Sequence, residues 1–173
     1  MPTADSSAPK EVVTAALLVI GGKILSGHTR DQNIGYIAEY LTAAGIDLTE
    51  VRIVGDEETV IVDALNALRH RYTYVFTTGG IGPTHGDITA ACVAKAFGVP
   101  IDSDSRALTI LYEWVKTTGA EMNEARLRMT HIPKGASSTR CHGAPGFRKC
   151  NRDGAGQTRG RGHAGANAAS TIK

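Results

Sequence analysis

The residues with the clearest chemical potential lie in one segment, residues 77–89, which reads Thr-Thr-Gly-Gly-Ile-Gly-Pro-Thr-His-Gly-Asp-Ile-Thr. An apolar run precedes this glycine-rich turn, and a helical pattern follows it. A turn that leads from a strand into a helix exposes backbone N–H groups beside the positive end of the helix dipole. We therefore predict that it binds a small phosphorylated ligand. The groups predicted to bind are Thr78, Gly79, Gly80, Gly82, Thr84 and Thr89.

Asp87 is the one carboxylate in this segment, and two interpretations stay open for it. As a structural residue, it would cap or charge the start of the following helix and stabilise it by about 1 kcal/mol. As a functional residue, it would be catalytic and would hold Mg²⁺, because one or two carboxylates plus substrate phosphates are a common magnesium environment. The turn lacks the third glycine of a dinucleotide fingerprint and the Gly-Lys-Ser/Thr of a phosphate-binding loop.

Apolar runs alternate with helical patterns along residues 14–129. The pattern predicts strands over 14–20, 46–54 and 72–78, and helices over 33–44, 88–97, 105–117 and 121–129, with one further helix capped by Asp56. Such alternation favours an α/β fold whose parallel sheet is covered on both faces. Ligands of such sheets gather beyond the carboxyl ends of the strands. Both glycine turns, at residues 21–27 and 79–86, are predicted to lie there.

Composition places limits on the chain as a whole. Its 173 residues are 42% hydrophobic, which is ordinary for a single globular domain. No apolar run approaches the ~18 residues of a membrane span. The three cysteines show no disulfide or metal spacing, so we expect a cytoplasmic protein that does not associate with membranes. Residues 1–11 are predicted to be a flexible tail.

The charge is divided unevenly near residue 139. Residues 140–173 carry seven Lys/Arg and a single acid, Asp153, with few large apolar side chains. Such a segment has little to bury against the entropy cost of ordering. The expected division is therefore a domain over residues 12–138 and a basic, glycine-rich tail over 139–173. The Arg/Gly run at 159–163 has no aromatic residue to stack bases, so the sequence does not favour a nucleic-acid partner.

Residues 77–89 closely resemble a motif of the molybdopterin-binding domain family, which is shared by molybdenum-cofactor biosynthesis proteins and the competence/damage-inducible protein. Residues 21–33, Gly-Gly-Lys-Ile-Leu-Ser-Gly-His-Thr-Arg-Asp-Gln-Asn, are similar to a second motif of that family, and residues 129–133 also fit. The resemblance covers roughly residues 12–135, particularly to the competence/damage-inducible branch. It implies a three-layer α/β/α sandwich with a mostly parallel sheet, a trimer, and Ser26 and Asn33 as further ligand-binding residues. A turn serine and a helix cap are the structural alternatives for those two.

The resemblance implies several activities. One is Mg²⁺-dependent transfer of AMP from ATP to molybdopterin, one is cleavage of the pyrophosphate bond of ADP-ribose, and a third possibility is a binding module that has lost catalysis. Where the family usually has acids, this chain has Gly22, Lys23, Thr73 and Gly86. We expect these losses around one pocket to weaken metal binding and turnover while the turn amides still bind anions.

The tail departs from the family in another way. Residues 144–147, Ala-Pro-Gly-Phe, match the family, but their flanks do not. A shift of reading frame within plausible codons converts the flanks into the expected segments. Residues 139–173 are therefore predicted to be either disordered or the product of frame shifts, and the gene sequence would decide between the two.

Overall fold

A four-stranded sheet forms the centre of the protein. The computed structural model describes residues 12–141, 144–148 and 170–172. The strands of this sheet, in spatial order, are β2 (Asp47–Val54), β1 (Thr14–Ile20), β3 (Tyr74–Thr78) and β8 (Ser170–Ile172). β1 runs parallel to both β2 and β3, whereas β8 is antiparallel to β3. Parallel neighbours of this kind need crossover connections, and helices supply them here.

Within the described ranges, six helices surround and connect the strands. They are α1 (Gly22–Leu25), α2 (Asn33–Ala43), α3 (Glu58–Arg71), α4 (Thr89–Ala96), α5 (Ser105–Thr118) and α6 (Glu124–Arg128). The predicted strands and longer helices are confirmed with ends that differ by a few residues. α1 falls inside a segment that was predicted only as a glycine turn. None of the helices in the described ranges is long and apolar enough to cross a membrane.

The central strand β1 is buried on both faces, which explains its uninterrupted apolar sequence. Ala16, Leu18 and Ile20 pack with the apolar stripes of α3 and α4. On the opposite face, Ala15, Leu17 and Val19 pack with α2. Burial of each leucine contributes roughly 2 kcal/mol. The α/β/α sandwich with a mostly parallel sheet, expected from the sequence, is confirmed.

A smaller unit lies beside the glycine turn at 79–86. Its strands β4 (Ile101–Ser103) and β5 (His131–Pro133), which the sequence analysis did not predict, pair antiparallel. Asp104 caps the start of α5, and its carboxylate accepts the N–H groups of Arg106 and Ala107 at 2.9 and 3.1 Å. Ala107 of α5 and Ile132 of β5 form a small buried cluster, and Ile81 of the glycine turn packs against it. The turn is therefore supported by this unit as well as by the main sheet.

Some of the segment predicted to be a tail forms strands. β6 (Ser137–Cys141) pairs antiparallel with β7 (Ala144–Arg148), and β8 also belongs to this segment. The expected boundary at 138/139 lies within β6. The predicted flexible residues 1–11, and residues 142–143, 149–169 and 173 of the predicted tail, lie outside the described ranges.

Candidate functional site

The second glycine turn (residues 79–86) follows β3 and passes against the end of β1. Gly79 and Gly80 have φ values of 92° and 61°, a region that L side chains rarely adopt. A Cβ on Gly79 would lie 2.0 Å from the carbonyl oxygen of Ile20, and one on Gly80 would lie 2.4 Å from Oγ1 of Thr89. Glycine is required at both positions by backbone conformation and by space.

Thr89 holds this turn in place from the first position of α4. Its side chain is buried, and its hydroxyl donates to the carbonyl of Gly79 at 2.9 Å. Its backbone N–H donates to the carbonyl of Gly80 at 3.1 Å. Thr89 was predicted to bind a ligand, and the structure places it underneath the turn, where it stabilises the backbone that would do so.

Asp87 bonds back onto the turn and does not cap α4. Its Oδ2 accepts the backbone N–H of Thr84 at 2.8 Å and also the Thr84 hydroxyl. The helix cap is Ile88, which makes no side-chain capping bond. Burial alone would raise the pKa of Asp87, but hydrogen bonds from the Thr84 side chain and from the backbones of Gly82 and Thr84 outweigh it, so the pKa is lowered. Asp87 is therefore an ionised carboxylate that shapes the turn.

Several N–H groups of the second turn remain unused. No hydrogen bond among the described residues employs the backbone N–H of Gly80, Ile81, His85 or Gly86. Unpaired N–H groups in a glycine-rich turn at the start of a helix are suited to an anion. These four donors are a stronger indication of a binding site than the glycine spacing alone.

Asn33 and Thr78 are brought together across the sheet edge. Nδ2 of Asn33, at the first residue of α2, donates to Oγ1 of Thr78 at 3.2 Å. Asn33 does not cap the helix itself. Oδ1 of Asp31 accepts the N–H groups of Asn33 and Ile34 at 2.9 and 2.7 Å, so the capping role belongs to Asp31. The Asn33 side chain is thereby directed towards the end of β3.

Ser26 lies on the exposed first glycine turn (residues 21–27). Its hydroxyl donates to the carbonyl of Lys23 at 3.2 Å and lies 2.8 Å from Nδ1 of His28. No described hydrogen bond joins it to Thr78 or to the second turn. Ser26 therefore has the local contacts of a turn serine, at the same edge of the sheet as the other predicted residues.

Asp56 does not cap α3 as the sequence predicted. The cap of that helix is Glu57, and Oδ2 of Asp56 instead accepts the backbone N–H of Gly22 at 2.9 Å. This bond ties the start of α1 to the end of β2. Asp56 was missed as a residue of the site edge, although its position directly after a predicted strand could have indicated it.

The family of this chain follows from a match over most of its length. Residues 16–152 match the family described as "Probable molybdopterin binding domain". The chain belongs to this family. The match contains both glycine turns and all the predicted site residues.

Proteins similar to this one support the same conclusion. It is 33% identical over 120 residues to a CinA-like protein of Myxococcus xanthus, covering 69% of this chain and 28% of that protein. It is 34% identical over 123 residues to a putative competence-damage inducible protein of Clostridium beijerinckii, covering 71% and 30%. The crystal structure of the protein CinA from Thermoplasma acidophilum superimposes with a TM-score of 0.70 at 29% identity, covering 78% and 79%. The chain spans less than a third of the two longer relatives.

Thr73, one of the four positions where the family resemblance led us to expect an acid, lies away from the site. It precedes β3, and its hydroxyl lies 3.5 Å from that of Thr14 at the start of β1. Thr73 is therefore at the amino edge of the parallel strands. The expectation that all four positions surround one pocket was wrong, because it considered residue type without considering which end of a strand each position occupies.

The remaining three positions do lie at the carboxyl edge. Gly22 and Lys23 begin α1, and Gly86 belongs to the second turn. The described residues contain no group of three or more His, Cys, Asp or Glu side chains able to hold a metal. Since Oδ2 of Asp87 already accepts two hydrogen bonds, the described side chains do not form a preformed Mg²⁺ site.

Proposed function

We propose that this domain binds a phosphorylated ligand of the molybdopterin or nucleotide class at the second glycine turn, through backbone amides and without a preformed metal site. The observation that carries the proposal is the set of four unused N–H groups on that turn, at Gly80, Ile81, His85 and Gly86. Fixed amide donors can bind a phosphate without reorganisation, and the start of α4 adds positive potential.

The charge at the site edge supports the proposal. Lys23 is exposed on α1, at a position where the family resemblance led us to expect an acid. Replacement of an anion by a cation next to a phosphate removes repulsion and adds attraction.

Thermal unfolding with molybdopterin, ATP and ADP-ribose, each in excess EDTA and again in Mg²⁺, tests this function. A ligand that binds only the native state at 100 times its dissociation constant adds about 2.7 kcal/mol to the free energy of unfolding. We expect at least one ligand to raise the melting temperature in EDTA. Absence of any shift with all three would overturn the proposal.

Two lysine variants refine the experiment. Lys23→Gln is expected to weaken binding several-fold, whereas Lys116→Gln, on the exposed last turn of α5, should leave binding unchanged. The two changes remove the same charge from different places. Equal effects would mean that only the net charge matters.

Catalysis is the second candidate function, and one observation favours it. Two carboxylates, Asp56 and Asp87, remain at the carboxyl edge, after β2 and β3 respectively. Adenylyl transfer to molybdopterin or cleavage of ADP-ribose in the presence of Mg²⁺, abolished in Asp87→Asn, would establish an enzyme. A trimeric assembly and a cytoplasmic location stay predictions.

A further inference from the structure

Arg128 makes a long-range side-chain hydrogen bond to the second turn. It is the last residue of α6, and its Nη2 donates to the carbonyl oxygen of Pro83 at 3.2 Å, across 45 positions of sequence. The other hydrogen bonds of the turn, described above, come from within residues 79–89. The conformation of the outer part of the turn therefore depends on a side chain from another unit.

The backbone that carries Arg128 is firmly placed. Two positions further on, Thr130 is buried, and its hydroxyl donates to the carbonyl of Leu127 at 2.6 Å. The Thr130 hydroxyl also lies 3.0 Å from that of Ser103, and the Thr130 carbonyl accepts the N–H of Asp104 at 3.0 Å. The end of α6 is thus fixed to β4 and to the start of α5.

The same unit reaches the turn a second time. Ile81 packs against the cluster of Ala107 and Ile132, so an apolar contact and a polar contact on either side of Gly82 connect the turn to this unit. An arginine at the polar contact is well suited to more than a structural role, because its guanidinium has five N–H donors in a rigid plane. Among the described residues, no carboxylate forms an ion pair with Arg128.

We propose that Arg128 is a ligand-binding residue of the second turn, holding Pro83 with one N–H and binding a phosphate of the ligand with the others. This proposal rests on the proposed function. It adds a second cationic side chain, besides Lys23, to the backbone amides of the site, and it places that charge on the unit formed by α5, α6, β4 and β5. Ligands with two adjacent phosphates suit the combination, since one phosphate can occupy the amides while the next meets the guanidinium.

Calorimetric titration with pyrophosphate and with ATP, in EDTA, tests the binding role. Arg128→Met removes the donors and keeps an aliphatic chain, and we expect at least a tenfold loss of affinity for both probes. Arg128→Lys should lie between, because an ammonium group keeps the charge without the forked geometry. Arg71→Met is the matched control: it removes an exposed arginine near the amino edge and should change affinity less than twofold.

The outcomes separate the two proposals. If wild-type protein binds and Arg128→Met binds equally well, the role of Arg128 is overturned and the proposed function stands. If wild-type protein binds neither probe in EDTA and shows no thermal shift with molybdopterin or ADP-ribose, the proposed function fails and the binding role of Arg128 fails with it.

Amide hydrogen exchange measures the contact to Pro83 independently of any ligand. We expect the hydrogen-bonded amides around the turn, those of Thr84, Asp87 and Thr89, to exchange faster in Arg128→Met than in Arg71→Met, while the amides of β1 are unchanged. Unchanged exchange in the turn would show that Arg128 does not position it.

Discussion

The two glycine turns lie at the same edge of the sheet but are held in different ways. The second turn is fixed by a buried threonine, Thr89, by an apolar anchor, Ile81, and by glycines that contact the end of β1. The first turn forms α1, which has no buried residue. Its Ile24 is partly buried against the core cluster that contains Leu17 and Val19. Two hydrogen bonds also join this turn to the end of β2, from Gly21 N–H to the Val54 carbonyl at 2.9 Å and from Gly22 N–H to Asp56.

This difference indicates that the two turns have different roles. A turn whose backbone is fixed by packing can present its N–H groups in one arrangement, which is what an anion site requires. The first turn lacks a fully buried residue, and a Cβ on its glycines would meet no strand, so we expect its exposed positions to vary in sequence at less cost. Of the three departures at this edge, Gly22 and Lys23 lie in the first turn and Gly86 lies in the second.

The largest expected effect comes from adding a methyl group to one glycine of each turn. Gly79→Ala combines a positive φ with a Cβ 2.0 Å from the backbone of Ile20, so we expect a loss of about 3 kcal/mol or more in the free energy of unfolding. Gly27→Ala also has a positive φ, 74°, but no atom lies within 4 Å of its Cβ. Its expected loss is about 1 kcal/mol.

Urea unfolding of the two variants measures both values. Gly86→Ala, which has open space around the new Cβ and no positive φ, should be close to wild type. Similar losses for the Gly79 and Gly27 variants would contradict the view that the second turn alone is fixed by contact with β1.

A smaller effect is expected when one hydrogen bond is removed from each turn. Thr89→Val keeps the buried volume but removes the bond to the Gly79 carbonyl, and a loss of about 1 kcal/mol is expected. Asp56→Ala removes an exposed bond whose donor, Gly22 N–H, can bond to water instead, so its loss should be less than about 0.5 kcal/mol. Chemical denaturation would reveal the order, and a reversed order would refute the comparison.

The smallest effect concerns pH. Because the pKa of Asp87 is lowered below its ordinary value of 3.8 in the folded protein, the carboxylate contributes stability that is present above pH 3.8 and is lost as the pH falls through the lowered pKa. Asp87→Asn should remove this dependence. The difference in urea midpoint between wild type and Asp87→Asn should therefore shrink as the pH falls from about 5 to about 2; a constant difference would count against the role of this carboxylate.

The features that follow local rules could be predicted from the sequence. The strand over residues 14–20 was correct at both ends because burial on two faces demands a continuous apolar run. The second glycine turn could be located because the positive φ values at positions 79 and 80 favour glycine there. The α-helices over 33–43 and 105–118 have a clear apolar face and were predicted within one residue at each end.

The features that depend on distant partners could not be predicted. Asp56 bonds to a residue 34 positions away, and no local pattern distinguishes that from a helix cap. Thr73 stands at a position where the family resemblance led us to expect an acid, but it lies at the opposite edge of the strands from the site. β4 and β5 have three residues each, which is too short for a periodic pattern.

The bond between Asp56 and Gly22 also links the choice of residue at two positions that are far apart in the sequence. A Cβ on Gly22 would lie 3.2 Å from Oδ2 of Asp56, a separation at which the carboxylate must shift by a few tenths of an ångström. An acidic side chain at position 22 would repel it as well. We therefore expect the effects of substitutions at positions 22 and 56 on the free energy of unfolding to be non-additive.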